Sequence, residues 1–484
     1  MYNIDMSNWV PIITNLLILL VTLSGTLFLI TKVKFEDSNY KLLFVLYLMY
    51  WITPMMLRQY TGKIHGDLIK AEYDSKDLLD LLWVPTFVYG ITGIFWKPLA
   101  DFLVTKFKSR KTIIFISLII QFIGVIPMIV KPCFATNLIQ AICVGVGASC
   151  ISMFTLMFNE QYAKKKVFAT VSLLSLPPMI AEFASATFIS IVTSFLDEKK
   201  DSPQERVGKL KWIWIIGLIL VILTFVVALF LKENKELVFA DNKYKEPIRN
   251  NWEIVSVFCV IFIASLAGFV KYCTSGGSML SEMKFIAKHD GNGKKEIIDT
   301  FSAYLSPILY VGRTTANLLT GFVLIKKYKK STLFIFATSL WLLFAILSAI
   351  FISVEAKFIL IIINGFCFGM VTNLSSSAMM KKYFAKTTKI TPITLLSILS
   401  SVGVVIGSFL NTFVKKPLLN MDTSEVSDKD WAKFMKLNWN ISAVIIAAIV
   451  LMCFLFLSQE YILKKQQQSL VQPQQPQNTT SSSS

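Results

Sequence analysis

The sequence predicts an all-α polytopic membrane protein, and three observations carry that prediction. Of 484 residues, 54% are apolar and only 16% charged, whereas a soluble globular chain is about a quarter charged. Apolar runs of about 20 residues recur along the whole length, each long enough to cross the roughly 30 Å hydrocarbon core as a helix. No long polar stretch separates them: the longest between spans is residues 232–251. This excludes a soluble enzyme and a single anchored domain.

Reading apolar runs against charged punctuation places spans near 9–31, 42–62, 80–103, 112–130, 135–158, 167–195 and 212–231, then near 252–274, 300–325, 332–353, 358–380, 391–414 and 437–458. The first has no Lys or Arg before it and no small-residue cleavage site after it. It therefore reads as a retained extra helix rather than a signal peptide. The rest divide into an N-terminal six-helix half (41–231), a central loop (232–251) and a C-terminal six-helix half (252–465), with 1–40 as the extra helix and its loop. The polar tail 466–484 (QQQSLVQPQQPQNTTSSSS) has too few apolar residues to pack and is expected to be disordered.

Charge sets the orientation. With the N-terminus outside, the inner connections 32–41, 104–111, 159–166, 232–251, 326–331, 381–390 and 459–484 hold 25 Lys+Arg against 9 acids, counting Asp101 at their border. The outer connections hold 19 of each. Short Lys/Arg-rich loops belong on the cytoplasmic side, so the C-terminus is expected there too. The net charge of +18 is then an insertion signal, not a nucleic-acid footprint. Seven cysteines lie in or beside apolar runs without metal-ligand spacing, and both histidines (His65 and His289) sit in polar connections. Neither pattern builds a metal site, and no Walker motif, nucleophile elbow or carboxylate pair occurs in a loop. The expectation is no cofactor, no metal and no enzymatic activity, with any work drawn from gradients.

Two loops about 220 residues apart resemble each other: 96–118 (WKPLADFLVTKFKSRKTIIFISL) and 321–340 (GFVLIKKYKKSTLFIFATSL). Each joins an apolar helix end to a Lys-rich turn with an aromatic inside it, then to a new apolar helix. Both follow the second span of a set of six, a duplication that resembles the layout of the major facilitator transporters. The first loop is similar to that superfamily's signature G-x-x-x-D-R-x-G-R-R/K, with Lys97 in the glycine position, Asp101 as the acid, and Arg110 and Lys111 as the basic end. The second copy keeps Gly321 but has Ile325 where the acid would stand. The resemblance implies a structural and gating role for these residues. Physically, Asp101 can cap a neighbouring helix or pair across the halves, while Lys97 and Asp101, one turn apart, suit a local ion pair.

A narrower resemblance lies in Tyr50-Trp51-Ile-Thr-Pro-Met-Met-Leu-Arg58 and Tyr89-Gly90-Ile-Thr-Gly-Ile-Phe-Trp-Lys97-Pro-Leu-Ala-Asp101. These segments are similar to the organophosphate:phosphate antiporters, the hexose-phosphate and glycerol-3-phosphate carriers, including divergent mollicute relatives. That family carries a substrate arginine in its first helix, here matched by Arg58, and another in an Arg-Tyr pair of its seventh, here matched by Lys271-Tyr272. The chain departs from the pattern at Gly93, where the family has lysine. It departs again in 172–183 (SLLSLPPMIAEF), which lacks the family's histidine.

The charges within spans are Arg58, Lys97, Lys271, Arg313, Glu182 and Glu253. Arg58 and Lys271 suit either snorkelling to the outer interface or a shared anion site, since they stand at matched heights in corresponding helices. Arg313, 13 residues before Lys326, is about 20 Å from the inner face, and such residues face a cavity or a partner. That partner is either a substrate anion or Glu182, the acid deepest in a span. Glu182 serves alternatively as a proton carrier. Glu253, at a helix start, reads as structural.

The sequence-level expectation is therefore a monomeric, multi-pass plasma-membrane carrier. It would exchange a phosphorylated small metabolite for inorganic phosphate by alternating access, with the lipid bilayer and small anions as its partners. Arg58, Lys271 and Arg313 would bind substrate. The alternatives are a proton-coupled symporter or drug exporter using Glu182, or a non-transporting sensor on a transporter scaffold.

Overall fold

A computed structural model of the chain describes residues 39–59, 84–161, 167–194, 201–238, 246–248, 251–274, 277–290, 305–384, 391–415 and 426–471. It also describes residues 68, 298 and 418 and scattered positions between 13 and 28. Those scattered positions are helical; the rest of the predicted extra helix lies outside the described residues.

Helix boundaries follow local chemistry more than the apolar runs suggest. Helices α1 (Asn39–Gln59) and α2 (Val84–Phe107) are followed by a two-residue turn into α3 (Arg110–Val130). Lys108 enters the left-handed region there (φ 46°), a conformation costing a non-glycine residue about 1 kcal/mol. Ser109 caps α3 by accepting from Thr112 N, and Glu233 accepts from Ser109 Oγ, Arg110 N and Lys111 N. An acid at the positive end of a helix is stabilising, so the charged turn is built into the helix start.

The fourth span is two helices, α4 (Phe134–Ser149) and α5 (Ile151–Gln161), and the fifth is α6 (Val167–Leu173) followed by α7 (Leu176–Ser194). The second break sits just before Pro177 and Pro178, which cannot donate to the preceding turn. Helix α8 (Pro203–Leu229) starts nine residues before the apolar run at 212, because Ser202 and Glu205 close a capping box with Pro203 at the first position.

The second set begins with a short strand β1 (Glu246–Ile248) and helix α9 (Asn251–Thr274). An unpredicted amphipathic helix follows, α10 (Gly277–His289). Helix α11 (Leu305–Leu319) continues through a π turn at Thr320–Leu324 and a last α turn at Ile325–Lys327. After α12 (Lys330–Ile350) and α13 (Val354–Met380), strand β2 (Lys382–Phe384) pairs in parallel with β1. Helix α14 (Pro392–Leu410) and α15 (Asp428–Val471) complete the chain. Residues 466–471 of the polar tail are thus helical, and 472–484 lie outside the described residues.

Twelve stretches among the described residues are helical, long and apolar enough to cross a membrane. Buried side chains gather in four clusters. Two draw their fully buried residues from helices α1–α8 and the segments beside them, and two draw theirs from the second set, apart from Leu156. Large apolar residues such as Phe95, Trp212, Phe230, Val444 and Phe454 stay exposed, as side chains facing lipid do. Below, the end of the bundle carrying Lys106, Lys108, Lys326 and Lys327 is called the basic end.

Candidate functional site at the junction of the two helix sets

Arg313 sits in α11, half-buried, because α11 packs unusually close to α13. A Cβ at Gly365 would collide with the Leu309 carbonyl, and one at Gly369 would collide with the Arg313 carbonyl. On the other helix, a Cβ at Gly312 would lie 2.5 Å from Ile362 O. Glycine is required at such approaches. The guanidinium lies over the rings of Tyr310 (5.4 Å) and Phe368 (5.0 Å), an arrangement worth roughly 0.5–2 kcal/mol to a cation.

Among the described residues Arg313 has no carboxylate within 4 Å, and its Nε is buried without a hydrogen-bond partner. The pairing with Glu182 that the sequence allowed is not formed. Glu182 is buried on α7 and accepts from Ser306 Oγ at 3.1 Å. Ser306 stands seven residues, about 10 Å, from Arg313 along α11. From the first helix set, Tyr47 comes within electrostatic range of Arg313 and Tyr310, and it neighbours Trp51 and Thr155.

Arg58 and Lys271 lie near the ends of α1 and α9. Their side chains fall outside the described residues, so their convergence with Arg313 stays an expectation.

Toward the basic end, polar contacts join the two sets. Lys97 is buried and donates to Ser397 O and Ser401 Oγ of α14, both at 2.6 Å. The expected Lys97–Asp101 ion pair does not form; both side chains face α14 instead. Asp101 Oδ2 accepts from Thr391 N at 3.4 Å. Where α6 meets α11 and α13, Ser172 Oγ and Asn373 Nδ2 both donate to Asn317 O, at 2.6 and 3.2 Å. Thr314 Oγ1 donates to Ser175 O at 3.1 Å, at the break between α6 and α7. Gly321, buried, lies in the π turn that follows.

Arg110, fully buried, binds Glu160 through two parallel hydrogen bonds of 2.6 and 2.5 Å, and Lys111 Nζ donates to the Leu229 and Leu231 carbonyls. Glu160 lies just past the apolar run of its span, among the Lys-rich inner-loop residues, so hydropathy alone does not show this pair. Also missed was a buried triad at the opposite end: Glu282 of α10 accepts from Lys357 at 2.8 Å and Lys415 at 2.6 Å. Burial opposes ionisation of Glu282, but the two lysines outweigh it and hold its carboxyl down at about 2. Among the described residues no cluster of His, Cys, Asp and Glu could hold a metal ion.

Twelve helices long and apolar enough to span a membrane, in two sets joined by contacts such as Lys97–Ser401 and Ser172–Asn317, form an all-α polytopic membrane protein, and the solved structures it resembles give it the major facilitator fold. No family model matches the sequence, and no curated protein does. Solved structures do match. The chain is similar to the Escherichia coli fucose:proton symporter FucP (TM-score 0.53, 15% identity, 85% of this chain and 97% of that one). It is also similar to the human organic anion transporter MFSD10 (TETRAN) (TM-score 0.57, 10% identity, 87% of this chain and 100% of that one). At such identities the likeness speaks to the fold alone.

Proposed function

We propose that the chain is a secondary carrier working by alternating access in the plasma membrane, exchanging a phosphorylated small metabolite for inorganic phosphate. In this reading the six-helix halves 41–231 and 252–465 rock about the central loop, with the N-terminus outside, the C-terminus cytoplasmic and the monomer as the working unit. Arg313, with Arg58 and Lys271, holds the anion; Lys97, Asp101, Arg110, Lys111 and Gly321 govern the cytoplasmic gate. The observation that carries the reading is Arg313, a cation inside a span with no carboxylate against it among the described residues. An intramembrane charge costs several kcal/mol unless a partner or cavity receives it. A doubly negative cargo offsets that cost, so the loaded carrier closes more readily than the empty one, which is the condition for exchange.

The test is phosphate uptake into proteoliposomes. Labelled phosphate should enter vesicles preloaded with phosphate at least tenfold faster than empty ones; equal rates would refute obligatory exchange.

A second reading, proton-coupled symport, is favoured by Glu182, a buried acid that takes a hydrogen bond from Ser306 of the other helix set. It predicts that Glu182→Gln abolishes gradient-driven uptake and spares exchange.

A further inference from the structure

At the junction between the helix sets, two buried N–H donors make no hydrogen bond among the described residues, one from each set: Arg313 Nε and the indole Nε1 of Trp51. Trp51 is only 8% exposed. It neighbours the Tyr47 hydroxyl without reaching hydrogen-bond geometry, the two rings standing edge to face with centroids 6.3 Å apart. Tyr47 in turn lies in the field of Arg313, with the Thr155 hydroxyl beside it.

A buried donor without an acceptor costs about 1–3 kcal/mol. Phenylalanine at position 51 would keep an aromatic ring in the cluster and remove the unbonded N–H, at the cost of the part of the indole it does not fill. The groups assembled around Tyr47 are a guanidinium, an indole N–H, two phenols and a hydroxyl. The guanidinium and the indole can only donate, and the hydroxyls can turn to donate. A donor-rich set anchored by a fixed cation complements an oxygen-rich anion and repels a cation.

We infer that Trp51 and Tyr47 form the second wall of the anion site, donating to oxygens of the same tetrahedral oxyanion that Arg313 holds from the opposite helix set. This rests on Arg313 being a substrate residue, and it adds where the N-terminal half contributes. That place is the middle of α1, about 10 Å along the helix from Arg58. The ligand class is inorganic phosphate or a phosphomonoester, whose several oxygens can accept from both walls at once. Such a ligand ties α1 to α11 and draws the halves together as it binds.

The experiment is a titration of the purified full-length protein with inorganic phosphate and with glycerol 3-phosphate, followed by thermal stabilisation and calorimetry, with chloride at equal ionic strength as control. Trp51→Phe should raise both dissociation constants about tenfold, which is about 1.4 kcal/mol. It should leave the unliganded protein folded, its unfolding temperature lowered by no more than a few degrees by the smaller ring. Tyr47→Phe should weaken binding in the same direction, and Trp212→Phe, on the exposed face of α8, should not. If the wild type binds phosphate and both Trp51→Phe and Tyr47→Phe bind it equally well, the second wall is wrong while the anion reading survives. If the wild type binds neither ligand above chloride, both fall.

Discussion

Lys97 on α2 and Ser401 on α14 are joined by a 2.6 Å hydrogen bond from ammonium to hydroxyl, and the same ammonium donates to the Ser397 carbonyl. These bonds link residues some 300 positions apart across the junction between the helix sets, nearer the basic end. A local Lys97–Asp101 pair on a wet helix face would be worth only about 0.2–0.5 kcal/mol. Packing against α14 removes the water, and an unbonded buried ammonium would then be far costlier than the lost pair. Lys97→Met keeps the stem's volume and removes the tie. On the alternating-access reading, it should shift the protein toward states open at the basic end. A cysteine introduced at Ser397 should then react several-fold faster with a polar maleimide than in the Lys97 background. Unchanged reactivity would mean that the tie packs the helices without gating them.

Arg313 invites the opposite kind of substitution. Removing a cation that lacks an ionic partner among the described residues takes away a desolvation cost rather than a stabilising pair. Arg313→Leu should therefore unfold at the same temperature as wild type or a few degrees higher, while losing all stabilisation by phosphate. A strongly destabilised Arg313→Leu protein that still responds to phosphate would assign the arginine to structure.

How much of this was legible follows from the range of each interaction. Span number and loop charge depend on runs of consecutive residues, and twelve of the predicted spans return as helices. The depth of Arg313 in its span was legible because it is a count of residues to Lys326. Partner choice was not. Lys97 turns to α14 because α14 is there, a fact 300 residues away in sequence. Glu160, Lys357 and Lys415 were set in loops or at span edges because a hydropathy run stops at a charge, whereas a helix continues through one that finds a partner. Extending each run by one turn would have brought all three inside. Helix α10 was invisible for the converse reason: its apolar residues alternate with Glu282, Lys284 and Lys288, so it never forms a run. Its 3.6-residue period was the signal available.

The Arg110–Glu160 pair is buried and bidentate, so its members are worth little apart. Glu160→Gln removes the bidentate partner of a fully buried guanidinium, leaving it the Asp101 and Glu233 carboxylates in its field, and should destabilise the protein by about 2–3 kcal/mol. The double replacement Arg110→Met with Glu160→Leu removes both charges and should recover most of that loss, because a well-packed apolar pair is often as stable as a buried ionic one. Thermal or denaturant unfolding in detergent measures both. If the double variant loses as much as Arg110→Met and Glu160→Leu lose singly when summed, the two residues act independently and the pairing carries no coupling energy.

The Glu282 triad gives the fold a pH signature whose sign is fixed. The carboxyl titrates at about 2 in the folded protein, against an ordinary 4.5, so the unfolded chain binds its proton first as the solution is acidified. The stabilisation is complete above about pH 4.5 and is lost as pH falls toward 2. What is lost is the attachment of α10 to the ends of α13 and α14, beside the aromatic stack where the His289 ring lies 3.8 Å from that of Trp431. Hydrogen exchange of residues 277–289 should be slow and constant from pH 7 to 5 once corrected for intrinsic rates, and should accelerate below pH 4. Glu282→Gln leaves Lys357 and Lys415 without their carboxylate, so the same segment should exchange fast at every pH. Protection that stays flat to pH 3 in the wild type, or that survives in Glu282→Gln, would show that the aromatic stack, not the ion triad, holds α10 in place.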